Sequence, residues 1–249
     1  MQRIATLSIV AALGALLATE PSALQAGTPG IVAGNVTCSG AIPGPTKIVG
    51  NLVVPDGASC VLGLIPDSTI RCCISTENTV WVTGNVTVGR GSNLTVGLNS
   101  TIVGNLQANN CGFVEFVSEG SEVVQGNVQI SHCNGGATPG SPSFLSTGTG
   151  SRIGGNFQCQ NNTGPCVLEG ALVGGNVQVT DNVSPGSPSM IDDNSVHGDV
   201  QVTNNVSTGL PSVIDANHAS GNLQCQGNVP PVTGAGNTAK QKQGQCLAL

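Results

Sequence analysis

The chain has 249 residues and a formal net charge of −6, and only 8% of its residues are charged. Its seven Lys and Arg residues are too few and too scattered to form a phosphate-binding stripe, so no nucleic acid partner is expected. The composition includes 36 Gly, one Trp and no Tyr, which disfavours an aromatic-lined cleft for sugars.

Residues 1–26 have the pattern of a signal peptide. Arg3 provides the positive charge, and Ile4 to Ala18 form an apolar segment too short to cross a bilayer. Cleavage is expected after Ala26; an uncleaved anchor is the alternative, and the short apolar segment disfavours it. No later apolar run reaches about 18 residues, so no membrane span is expected in the mature chain. Residues 27–249 are therefore predicted to form one secreted domain, outside the cell or at its surface.

A Gly followed by Asn or Asp introduces a short apolar–polar–apolar run nine times. These pairs begin at Gly34, Gly50, Gly84, Gly104, Gly126, Gly155, Gly175, Gly198 and Gly221. The intervals between them cluster near 22 residues, which is typical of a solenoid of stacked rungs. The 34-residue interval after Gly50 is predicted to contain one further rung with a degraded motif, and the 16-residue interval after Gly34 is predicted to be a short terminal turn.

The most regular copies, residues 173–195 and 196–218, each contain three short apolar segments bounded by turn residues. This pattern predicts an all-β fold, a single-stranded, right-handed parallel β-helix of nine or ten rungs that is about 45 Å long. The expected columns are Val177, Val200 and Leu223 inside, Val179, Val202 and Cys225 beside them, and Gln178, Gln201 and Gln224 outside.

Asparagine recurs at fixed places in the repeat. Asn182, Asn205 and Asn228 share one position, and Asn194 and Asn217 share another. Asn tolerates the left-handed backbone of a corner, and its amide can also bond to the rungs above and below. The sequence leaves open whether the Gly-Asn pair lies at a corner or within a strand.

The two ends of such a coil are open edges that invite stacking. Residues 27–47 are therefore predicted to be an N-terminal cap region, and residues 230–249 a C-terminal cap.

Ten cysteines in a secreted chain predict a disulfide framework. The expected pairs are Cys38–Cys60, Cys111–Cys133, Cys159–Cys166 and Cys225–Cys246. Cys72 and Cys73 could pair with each other or exchange partners with Cys38 and Cys60. No tight Cys-x-x-Cys pair or His cluster is present, so no metal or other cofactor is predicted.

The polar residues of the last rungs are the only candidates for chemistry. Asp192 and Asp215 share a repeat position, and His197 lies between them in sequence. Stacked carboxylates could divide acid and base roles in glycan cleavage, or could hold Ca²⁺. The simpler interpretation is that Asp, beside Asn and Ser at a corner, stabilises a turn. The other polar residues of this group are Asp181, Asp193, Asp199 and His218.

The mature chain resembles a group of secreted bacterial β-helix repeat proteins of the actinobacterial type. The matching segments are residues 53–60, the Gly-Asn-Val rungs, and residues 221–246 with Cys225 and Cys246. The rungs also resemble, more distantly, those of bactofilins, which are polymer-forming β-helices. This chain differs from bactofilins in its signal peptide and cysteines. The resemblance implies a β-helical fold and export, and it implies no catalytic residues.

The sequence thus predicts a secreted or cell-surface structural or interaction protein without a catalytic site. Its expected partner is an extracellular surface or a glycan, or a second copy of the chain. Two alternatives stay open: a carbohydrate-active hydrolase or lyase that uses Asp192 and Asp215, and a self-assembling β-helix polymer.

Overall fold

The computed structural model describes residues 30–63, 79–117, 121–135, 141–146 and 150–249. Within them the chain coils through three parallel sheets, and each strand pairs with the equivalent strand of the previous turn.

Sheet 1 contains β1 (Gly30–Ala33), β4 (Thr46–Val49), β7 (Val80–Val82), β10 (Thr101–Ile102), β13 (Val123–Val124), β16 (Arg152–Ile153), β19 (Leu172–Val173), β23 (Ser195–Val196) and β27 (His218–Ala219). Sheet 2 contains β2 (Val36–Thr37), β5 (Leu52–Val54), β8 (Val86–Val88), β11 (Leu106–Asn109), β14 (Val128–Ser131), β17 (Phe157–Gln160), β20 (Val177–Thr180), β24 (Val200–Thr203), β28 (Leu223–Gln226) and β29 (Lys242–Gly244). Sheet 3 contains β3 (Ala41–Ile42), β6 (Ser59–Leu62), β9 (Asn93–Val96), β12 (Val114–Phe116), β15 (Phe144–Ser146), β18 (Cys166–Glu169), β22 (Met190–Asp192) and β26 (Val213–Asp215). A two-stranded ladder joins β21 (Val183–Ser184) to β25 (Val206–Ser207), and a 3-10 helix covers Gln245–Ala248.

The interior is a set of apolar columns, as the alternating pattern predicts. Val177 pairs with Val200 and Val200 with Leu223, and all three side chains are buried. Phe116, Phe144 and Phe157 fill the middle of the coil with ring centroids 5.3 and 4.8 Å apart. The coil is therefore a parallel β-helix with a continuous apolar core.

The prediction of an extra rung in the 34-residue interval is wrong. Leu52 of β5 pairs directly with Val86 of β8, and the neighbouring strands of sheets 1 and 3 also pair across this interval. Because these strands pair directly, no further rung lies between them, and the additional residues are an insertion between β6 and β7. Cys72 and Cys73 fall in this insertion, outside the described residues.

Four disulfides tie the coil together, and they are the pairs predicted from the sequence. Cys111 and Cys133 stack one rung apart, with their Cα atoms separated by 4.4 Å. Cys38 and Cys60 are also 22 residues apart, but they do not stack. The short first turn places Cys38 at the end of β2, whereas Cys60 lies in β6 of sheet 3, so this disulfide joins two sheets.

The C-terminal residues close one end of the core. Residues 229–238 add isolated bridges to the last rung, β29 extends sheet 2, and the 3-10 helix packs against β28 and β29. Cys246 is buried and bonded to Cys225, and the side chain of Gln245 bonds to that of Asn228. These contacts cover the last rung, and the role of residues 230–249 as a cap against stacking stays a prediction.

Removal of residues 245–249 is expected to increase self-association, because it uncovers the core beside β28 and leaves an open end. Size-exclusion chromatography with light scattering measures this, and Cys225→Ala in the same variant prevents adventitious disulfides. Leu247→Ala, which changes an exposed side chain of the helix, is the control. A truncated chain with the same association state as the full chain would contradict the capping role.

Candidate functional site

The acidic and histidine residues predicted as a cluster are distributed around the coil. Asp192 and Asp215 pair in register at the ends of β22 and β26, as predicted. His197 and Asp199 lie instead at the corner between sheets 1 and 2, and Asp181 lies at the corner between sheets 2 and 3. No three His, Cys, Asp or Glu side chains in the described part of the chain are grouped as a metal site.

The carboxylates of Asp192 and Asp215 are surrounded by backbone groups and by one another. An oxygen of Asp215 accepts the backbone N–H of Ala235 and so holds the last turn. Partial burial raises the pKa of the Asp192 carboxyl, and the charges of Asp215 and Asp193 add to this effect. Asp193 has a φ of 50°, the left-handed geometry of a corner that Asp tolerates well. His197 lies at another corner and does not join this pair.

The outer surface of sheet 2 carries a continuous column of glutamines. Seven consecutive rungs place a glutamine at one outward position, each in register with the next. These residues are Gln107, Gln129, Gln158, Gln178, Gln201, Gln224 and Gln243. Two side-chain hydrogen bonds of 3.3 Å link Gln158 to Gln178 and Gln178 to Gln201. The column lies on regular strands, so its amides repeat at about 4.8 Å, the spacing of neighbouring strands.

A second amide column runs beside the glutamines, at the corner between sheets 1 and 2. It is built from the Asn or Asp of each Gly-Asn or Gly-Asp pair. Its members are Asn35, Asn51, Asn85, Asn105, Asn127, Asn156, Asn176, Asp199 and Asn222. The Oδ1 atom of each accepts the backbone N–H of the next, at 2.7–3.2 Å. The pair thus lies at a corner, which the sequence left open.

The glycine of this pair is required by a close approach between rungs. A Cβ on Gly126 would lie 2.6 Å from the Oδ1 atom of Asn105 and 2.6 Å from the carbonyl oxygen of Gly104. These distances are shorter than van der Waals contact. Only glycine therefore lets the asparagine of one rung approach the backbone of the next. The Gly-Asn repeat of the sequence corresponds to this column in the structure.

Shallow cavities follow the strip between the two columns, which we call the amide face. One of about 180 Å³ lies among Asn156, Gln158, Asn176 and Gln201. Another of about 220 Å³ shares Asn156 and Gln158 with it and continues to Gln107. The two share residues and follow sheet 2, and their lining consists of neutral amides apart from Val177 and Asp199.

No protein-family model, characterised protein sequence or solved structure matches this chain. The candidate site therefore rests on the geometry and chemistry of the amide face alone. In the part of the chain that the structure covers, no helix has the length and apolar character needed to cross a membrane.

The sequence indicated part of this face. The outward stacking of Gln178, Gln201 and Gln224 is confirmed by their register. The remaining glutamines were missed, although a Gly-Asn-apolar-Gln pattern also precedes Gln107, Gln129 and Gln158. Gln243 has no such pattern, because β29 belongs to the irregular last turn, and only the fold places it in the column.

Proposed function

We propose that this chain is a secreted or cell-surface structural protein that binds an extended, uncharged polysaccharide along its amide face. The observation that carries the proposal is the column of seven in-register glutamines on the outside of sheet 2. The rest of the coil supplies a rigid support for this column.

The chemistry of the face matches hydroxyl groups. A primary amide both donates and accepts hydrogen bonds, as a sugar hydroxyl does. The glutamine column contains no charged side chain, so it offers no preference for an ionic ligand. Many weak, regularly spaced contacts favour a polymer over a small molecule, because one chain can engage several rungs at once.

The location outside the cell is supported by the disulfides. The structure contains four, which persist in oxidising compartments and are rare in the cytosol. The signal peptide predicted at residues 1–26 lies outside the described residues.

Native gel electrophoresis in gels that contain hydroxyethylcellulose, soluble starch or alginate tests the proposal. The protein is expected to be retarded by at least one neutral polymer and not by anionic alginate. The double change Gln158→Ala and Gln178→Ala should weaken retardation about ten-fold, since two net hydrogen bonds contribute roughly 1–3 kcal/mol.

The matched control changes outward polar residues of the other two sheets, Thr95→Ala and Ser195→Ala, and should leave retardation unchanged. Retardation by alginate alone, or equal loss in the control, would overturn the proposal. Reducing ends released from the neutral polymers by the wild type but not by Asp192→Asn would favour the hydrolase alternative instead.

A further inference from the structure

An exposed apolar cleft lies near the N-terminal end of the coil on the outer surface of sheet 1, whereas the groove of the amide face follows sheet 2. It has a volume of about 400 Å³ and is lined by Ile31, Pro45, Lys47 and Trp81, among others. This volume falls within the range of small-molecule sites in proteins. The lining is predominantly apolar, unlike that of the groove on sheet 2.

The strand register builds this cleft. Ile31 of β1 pairs with Lys47 of β4, and Lys47 pairs with Trp81 of β7, so the three outward side chains form one column. Ile31 is 74% exposed and Trp81 is 45% exposed. A cation therefore stands between two large apolar side chains, with about 4.8 Å between successive strands.

The charge of Lys47 identifies the ligand class. No ion pair engages Lys47 within the described ranges of the chain, and its side chain is exposed. The tryptophan ring and the isoleucine offer contact to an apolar body, and the ammonium group offers a counter-charge to an anion. We infer that this cleft binds a small organic carboxylate with an apolar body, such as a medium-chain fatty acid or an aryl acid.

The intrinsic fluorescence of the protein reports directly on this site, because Trp81 is its only tryptophan and it has no tyrosine. Titration of the full mature chain with octanoate is expected to give a saturable change in emission. A dissociation constant of about 0.1–1 mM is expected for a ligand of this size. Octylammonium, which has a similar chain and the opposite charge, should bind at least ten-fold more weakly.

Lys47→Gln is expected to weaken octanoate binding about ten-fold and to remove the preference for the anion. Lys240→Gln, which removes a lysine near the opposite end of the coil, is the matched control and should leave the titration unchanged. No saturable change up to tens of millimolar octanoate, or equal binding of octanoate and octylammonium, would overturn the inference. So would a Lys47→Gln variant that binds octanoate as well as the wild type does.

Discussion

Asn205→Ala is expected to lower the free energy of unfolding by about 2–4 kcal/mol, because it leaves the buried N–H of Asn182 without its partner and removes a hydrogen bond to the carbonyl oxygen of Val179. Asn205 lies in a buried column of amides at the corner between sheets 2 and 3. Its Nδ2 group donates to the carbonyl oxygen of Val179 at 2.9 Å, and its Oδ1 atom accepts the N–H of Asn182 at 3.1 Å. Both bonds join different rungs, so their loss uncouples neighbouring turns.

Chemical denaturation followed by circular dichroism measures this change. Asn222→Ala is the matched control: Asn222 ends the exposed column and uses its backbone N–H, which the variant keeps, to bond Asp199. The control should cost less than about 0.5 kcal/mol. If the two variants were equally stable, the buried amide column would not hold the rungs together.

Glu122→Gln is expected to stabilise the protein at neutral pH by about 1–2 kcal/mol, because it removes a buried charge. Glu122 is 1% exposed. Its Oε2 atom accepts a hydrogen bond of 3.1 Å from Ser151, and its Oε1 atom has no partner among the described residues. Burial raises the pKa of this carboxyl, and hydrogen bonds to backbone and to Ser151 only partly offset that effect.

The gain should depend on pH in a defined direction. With a raised pKa the folded state holds its proton more tightly than the unfolded state does, so the wild type loses stability as the pH rises from the ordinary carboxyl pKa to the raised one. The two proteins should therefore differ least near pH 4 and most above the raised pKa. Denaturation between pH 4 and 8 measures this, with Glu115→Gln on the outer face of β12 as control. A gain that is independent of pH would show that charge burial is not its cause.

Glu122 also shows how the interior mixes polar columns with apolar ones. From β10 onwards, the residue immediately before each strand of sheet 1 occupies the same corner. Successive rungs place Ser100, Glu122, Ser151, Ala171, Asn194, Asn217 and Asn237 there. The last three amides bond in series, with Asn194 donating to Asn217 and Asn217 to Asn237 at 2.9 Å each. Glu122 occupies a position at which most of the other rungs have a serine or an asparagine.

The columns of the last rungs could be predicted from the sequence because the repeat length there is a constant 23 residues. Val177, Val200 and Leu223 stack as expected for that reason. Where the intervals vary, counting residues fails. The 34-residue interval contains an insertion instead of a rung, and Glu122 could not be aligned with Asn194 across turns of unequal length.

The Asp and His residues show a second reason why the sequence alone did not predict the arrangement of polar side chains. They are close in sequence between residues 181 and 218, yet one rung of about 22 residues passes around all three sheets, so neighbours in sequence reach different corners. Asp192 pairs with Asp215 because the two lie one full turn apart, whereas His197 lies at the next corner of the coil.

By itself, the sequence determined the repeat, the parallel β-helix and the apolar columns. These depend on alternation along each strand and on a period that puts like residues above one another. The tertiary structure decided where the amide face and the Trp81 cleft lie and which polar groups are buried. Those features depend on the register between rungs and on the sheet that each strand joins, and both are set by turns whose lengths vary along the chain.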